Sequence, residues 1–152
     1  MHRLMEEELS SLRELERTLR PFLDSLPPAL RRGFWRLSPK DADDLGKLAK
    51  SMTLSLIDRV DSLDALFASL AQYMIDRPED ELLLLRGGRI LECYKSLRTS
   101  LCHTLSRCEP FLGKLPPKDM AAGELLASME ALEREIKSFS LLLSQELASI
   151  SI

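Results

Sequence analysis

Apolar side chains recur in this chain at alternating steps of three and four over four separate stretches, and that spacing constrains the fold more than any other feature. A helix turns once in about 3.6 residues, so such steps gather apolar groups into one stripe that must be buried against a neighbour. Leu12, Leu15, Leu19, Phe22 and Leu26 form the first stripe, on a helix running from about Leu4. Ala49, Met52, Leu56, Val60, Leu63, Phe67, Leu70 and Met74 form the second, and Ile90, Tyr94, Leu97, Leu101, Leu105 and Cys108 the third. Leu125, Met129, Leu132, Ile136, Phe139, Leu143 and Ile150 form the fourth. No stretch joins period-two alternation to β-branched and aromatic enrichment, so strands are not expected. The expectation is an all-α protein: an antiparallel four-helix bundle of two αα-hairpins, with a short helical or irregular crossover over residues 29–37. Its core should include Leu12, Leu19, Met52, Leu56, Leu63, Leu70, Leu97, Leu101, Leu132, Ile136 and Phe139.

Prolines and glycines punctuate these helices. Pro21 falls inside the first register, where it removes a backbone donor and crowds the preceding turn, so a kink or stop is expected near Arg20. In Ser38-Pro39-Lys40-Asp41, Ser38 suits a cap, Pro39 the first helical position, and Asp41, Asp43 and Asp44 the positive helix end. The second helix then reaches about Ile75, as one rod or as two with a bend at Asp61-Ser62, and Pro78 ends it. Glu79, Asp80 and Glu81 read as the acidic first turn of the third helix. Gly87-Gly88 near that helix start costs about 1 kcal/mol per glycine relative to alanine, so a kink or short break is expected there.

One octet repeats: Pro21-Phe22-Leu23-Asp24-Ser25-Leu26-Pro27-Pro28 returns as Pro110-Phe111-Leu112-Gly113-Lys114-Leu115-Pro116-Pro117. Each copy is expected to close one αα-hairpin, its Phe and two Leu plugging the bundle end while the prolines stop the backbone. A proline-rich docking segment or a duplicated hairpin are the alternatives.

A chain of 152 residues fits one domain, 1–152, with hairpins over about 2–76 and 78–150. The longest run of bulky apolar residues, Leu82 to Leu85, falls far short of the ~20 needed to span a bilayer, and no signal-like apolar region opens the chain. A cytoplasmic location is therefore the default, with a nuclear one also open. The net charge of −3 gives no global attraction to nucleic acid or anionic lipid, so any such binding must rest on local clustering.

Catalytic and metal patterns are scarce. Cys93, Cys102 and Cys108 are odd in number and fall on one helix, which argues against a disulfide framework. With His103 they supply zinc-type ligands, but Cys93 and Cys102 point to opposite sides and Cys93 and Cys108 lie ~22 Å apart along the axis. His103 and Cys102 are helix neighbours about 100° apart, which does not make a nucleophile and base. There is no Glu-x-x-His pair of the di-iron kind, no phosphate-binding glycine loop and no Gly-x-Ser-x-Gly elbow. Arg86-Gly87-Gly88-Arg89 suits an anion less well than it suits a helix kink. The reading is a protein without catalytic residues, metal ligands or cofactor.

Two segments are candidates for binding. Arg31, Arg32, Phe34, Trp35 and Arg36, within residues 30–40, combine positive charge with the only tryptophan, a composition suited to a protein interface, to phosphates or to a membrane surface. The plainer alternative is that Phe34 and Trp35 anchor the crossover while the arginines stay solvated. Leu82, Leu83, Leu84 and Leu85 cover every direction around a helix, so at least one should remain exposed and favour a partner helix or a second copy of the chain. Its alternative is a buried helix start beneath the second helix.

Arg89-Ile90-Leu91 through Tyr94, Leu97 and Arg98, then Leu115-Pro116-Pro117-Lys118-Asp119 and Glu124-Leu125-Leu126, resembles the later part of the helical domain of archaeal-type GINS replication subunits. The resemblance implies a scaffold subunit in a tetrameric assembly that bridges helicase and polymerase, without catalysis. The first half of the chain and the family's small β-rich domain find no counterpart, and no functional residue is carried over. The function expected from the residues is a protein-protein interaction or assembly module, with nucleic-acid or membrane-surface binding as the alternative.

Overall fold

The computed structural model describes residues 2–25, 39–113 and 119–148. Four helices account for nearly all of them: α1 His2–Ser25, α2 Pro39–Ile75, α3 Glu81–Cys108 and α4 Asp119–Leu147, with a 3-10 turn Glu109–Phe111 closing α3. No strand occurs among the described residues. Each helix packs on two neighbours, in the cyclic order α1, α2, α3, α4, and the α1–α2 seam is the loosest. Every neighbouring pair is antiparallel. His2 at the start of α1 reaches the carbonyl of Leu147 at the end of α4, whereas Arg20 meets Glu133. Arg86 meets Glu146 and, further along α3, Arg107 meets Glu124. The antiparallel four-helix bundle read from the stripes is the observed fold.

Every residue named above for the core is buried, together with Met5, Leu23, Leu45, Ile90, Leu125, Met129 and Leu143. Aromatic rings tie three helices together: Phe67 of α2 stacks on Tyr94 of α3 at 4.7 Å and meets Phe139 of α4 edge-on at 5.8 Å. Removing a buried ring such as Phe139 costs about 3–5 kcal/mol.

Helix α1 does not stop at Arg20. It runs through Pro21 to Ser25. The Pro21 side chain is exposed, so the ring and the carbonyl it leaves unbonded are placed where water can serve them. Nor does the backbone break at Asp61-Ser62 or at Gly87-Gly88, because α2 and α3 run continuously across them. Gly87 is buried, and a Cβ there would fall 2.6 Å from the Met74 sulfur, so the glycine lets Met74 of α2 lie against the α3 backbone. Asp80 is the cap of α3 rather than part of its first turn, its carboxylate accepting from the Leu83 amide at 3.1 Å.

The two copies of the octet behave differently. Pro21 to Ser25 belong to α1, whereas Pro110 and Phe111 form the 3-10 turn after α3. Phe111 is buried as a plug, but Leu112 is 40% exposed and Gly113 is exposed, and Leu26 to Pro28 and Lys114 to Pro117 lie outside the described residues. The copies therefore do not act as equivalent closures: one extends a helix and the other ends one.

Each of the four seams carries a carboxylate–arginine clamp. Glu8 of α1 accepts from Arg59 of α2 at 2.9 Å, and Asp64 of α2 takes Arg98 of α3 in a two-point contact at 2.9 and 3.2 Å. Arg86 of α3 reaches Glu146 of α4 at 3.4 Å, and Arg20 of α1 reaches Glu133 of α4 at 2.8 Å. Glu8, Glu133 and Glu146 are buried, where an unpaired carboxylate would be costly, so these pairs penalise a slip in helix register.

Candidate interaction surface

The leucine run at the start of α3 separates by direction. Leu83 points inward with Gly87 and Ile90 at steps of four and three, and is buried. Leu82 and Leu85 remain 53% and 58% exposed, and Leu84 is half-buried. The Asp80 cap and the α2–α3 turn fix this rotation, with the Arg77 amide donating to the Met74 carbonyl at 3.1 Å.

Leu84 does not stand alone. With Leu91 one heptad on, it joins Ala71, Met74, Ile75 and Pro78 in a groove of about 370 Å³ whose lining is almost wholly apolar. Ile75 on its rim is 68% exposed. On the other side of α3 a second depression is lined by Leu85, Gly88, Arg89, Glu92, Cys93 and Leu142, and Leu141 is 62% exposed on α4. Gly88, on the edge of that second depression, is open: a Cβ there would meet nothing within 4 Å. The signal missed in the sequence was the pairing of Ile75 and Ala71 with Leu84 and Leu91, which only the α2–α3 seam reveals. Fully burying a side chain of this kind contributes about 1.5–3 kcal/mol, so this face gains from being covered.

The basic aromatic residues Arg31, Arg32, Phe34, Trp35 and Arg36 lie outside the described residues. They are not brought together with the leucine face by anything described.

A different groove, of about 340 Å³, follows the loose α1–α2 seam past Leu4, Glu8, Ser11, Arg59, Ser62 and Ser69. Its polar groups are satisfied within the chain, Ser11 and Ser69 each donating to a carbonyl one turn back on its own helix. Glu8 accepts from both Arg59 and, at 3.0 Å, the Ser62 hydroxyl, while Arg59 also reaches Asp58 at 2.8 Å. Burial alone would lower the Arg59 pKa, but the Asp58 and Glu8 carboxylates outweigh it and hold the guanidinium charged. Across α2–α3, the Arg98 guanidinium holds the Asp64 carboxyl below the usual carboxylate range. Tyr94 donates its hydroxyl to the same carboxylate, and burial together with that bond pushes its pKa up to about 12.

His103 meets Ser128 of α4, not Cys102: the Ser128 hydroxyl lies 3.3 Å from its Nδ1. Among the described residues no carboxylate accepts from the imidazole, and the Ser128 carbonyl is taken by Thr104 at 3.3 Å. Cys108 is buried and Cys93 half-buried, and burial raises both thiols above their ordinary pKa. Among the described residues no group of three or more His, Cys, Asp or Glu side chains stands close enough to hold a metal ion. No helix among them is long and apolar enough to cross a membrane. Compared with protein-family models, with curated proteins and with solved structures, the chain matches none of them.

Proposed function

We propose that this chain is a non-catalytic helical interaction or assembly module, and that it engages its partner through the outward face of α3 and the adjoining end of α2. One observation carries the reading. The bundle completes its core without Ile75, Leu82, Leu85 or Leu141, yet holds them exposed: Ile75 lines the α2–α3 groove with Leu84 and Leu91, and Leu85 lines the depression on the other side of α3 with Leu142. A cluster of exposed large apolar groups around a concave apolar lining is a surface suited to a protein partner. A scaffold subunit like those of the GINS assembly is one particular form of this reading, and its residues Arg89 to Arg98 and Glu124 to Leu126 lie in α3 and α4.

Lysine crosslinking with mass spectrometry tests the assignment. Partner crosslinks are expected at Lys95 on α3 and not at Lys47 or Lys50 on the first half of α2. Replacing Ile75, Leu82 and Leu85 by glutamate should abolish them while the helical spectrum and thermal unfolding stay in place. Crosslinks confined to Lys47 and Lys50, or capture unchanged by the three glutamates, would refute it. The competing reading, in which Arg31, Arg32 and Arg36 grip phosphates, requires affinity for nucleic acid or anionic vesicles that falls steeply with salt.

A further inference from the structure

The outward face of α3 carries a line of matched opposite charges about Gly88, with an apolar flank on the side of α2. Glu81, Gly88 and Lys95 follow one another at heptad intervals, which places successive members within about 20° of one line along the helix. Glu81 and Lys95 are both exposed, and among the described residues the Lys95 ammonium meets only the solvent-exposed Glu92 carboxylate, at 3.4 Å. Leu84 and Leu91 flank the line on the side of α2, four residues before Gly88 and three after it. A two-fold axis level with Gly88, perpendicular to the helix and lying in the plane of contact, would therefore set Leu84 against the other copy's Leu91, twice. The same operation sets Glu81 against the other copy's Lys95, twice, and the open Gly88 against itself at the crossing point, where the missing side chain lets two backbones approach.

We propose that the partner of this face is a second copy of the chain, docked α3 against α3 in an antiparallel pair centred on Gly88. This deepens the interaction-module reading and rests on it. Opposite charges at matched distances from the centre favour a second copy over an unrelated helix, and the apolar groove beside Leu84 and Leu91 receives the facing leucines. Parallel pairing would put Glu81 on Glu81 and Lys95 on Lys95, which repel.

The test uses sedimentation velocity on the full chain over a concentration series. The wild type is expected to form a dimer, and Glu81→Lys or Lys95→Glu alone to weaken it about ten-fold, since each turns two attractive pairs into repulsive ones. The double variant Glu81→Lys, Lys95→Glu restores the dimer. So does an equimolar mixture of the two single variants, because each then meets its opposite charge. Gly88→Leu, which blocks the crossing, should abolish association with helical content retained. A wild type that stays monomeric, or a mixture no better than its components, overturns the proposal. If the chain stays monomeric while an unlike partner still crosslinks to Lys95, the second copy fails and the interaction module stands. If Lys95 captures nothing and no dimer forms, both fail.

Discussion

Two grooves of similar volume run along the outside of this bundle, about 340 Å³ between α1 and α2 and about 370 Å³ between α2 and α3; the first mixes Leu4, Ala65 and Leu66 with charged and hydroxyl side chains, and the second is almost wholly apolar. In the first, Arg59 and the Ser62 hydroxyl both donate to the buried Glu8 carboxylate across the seam, while Ser11 and Ser69 donate to carbonyls of their own helices, so these polar groups are satisfied within the chain. In the second, half-buried Leu84 and Leu91 and exposed Ile75 line a groove that nothing among the described residues covers. A groove's size thus says little about its use. What distinguishes the two is whether its lining is already satisfied within the chain.

The sharpest way to break this contrast is Arg59→Ala. It leaves the Glu8 carboxylate buried with only Ser62 as a partner, and stability should fall by about 3 kcal/mol in urea unfolding. A loss under 1 kcal/mol would mean the α1–α2 groove is not held by this clamp.

Alkaline titration acts next, on the seam beneath the apolar groove. The folded Tyr94 pKa lies near 12, above its ordinary value of about 10, so the folded state keeps a proton that the unfolded state has lost in that window. The stabilisation is fully present below about pH 10 and fades as pH rises through 12. Tyr94→Phe should flatten that part of the pH–stability curve. Asp64 works in the opposite range: its depressed pKa contributes stability above the ordinary carboxylate value, which is lost as pH falls through the lowered one.

The two adjacent glycines give a smaller, signed contrast. Gly88→Ala should stabilise the chain by about 1 kcal/mol at low concentration, because a Cβ there meets nothing and helix propensity improves. Gly87→Ala should gain distinctly less, since its Cβ displaces the Met74 sulfur. Equal gains would show that Gly87 has no packing role. Leu85→Glu, at a side chain already 58% exposed, should change stability by less than about 0.5 kcal/mol.

The four stripes were legible because burial repeats with the helical period, and the eleven core residues named from spacing alone, from Leu12 to Phe139, are all buried. The helices run on through their breakers because of where those residues sit, which spacing does not show: Pro21 has its ring in solvent and Gly87 receives Met74. Glu8, Glu133 and Glu146 were also beyond reach, because periodicity marks a charge as surface and cannot show the arginine waiting on the next helix. The leucine run announced an exposed patch, but which leucines stay out depends on the rotation of α3 against α2. The polar α1–α2 groove gave no signal at all, since isolated serines on a helix look like any solvated face.

The division of labour between the two grooves is tested most directly by measuring unfolding free energy and association for two variants side by side. Arg59→Ala should lose stability and, in its folded fraction, associate as the wild type does. Ile75→Glu with Leu85→Glu should keep the wild-type unfolding curve at low concentration and lose association. A variant pair that loses both properties together, or an Ile75 and Leu85 change that lowers stability while association persists, would contradict it.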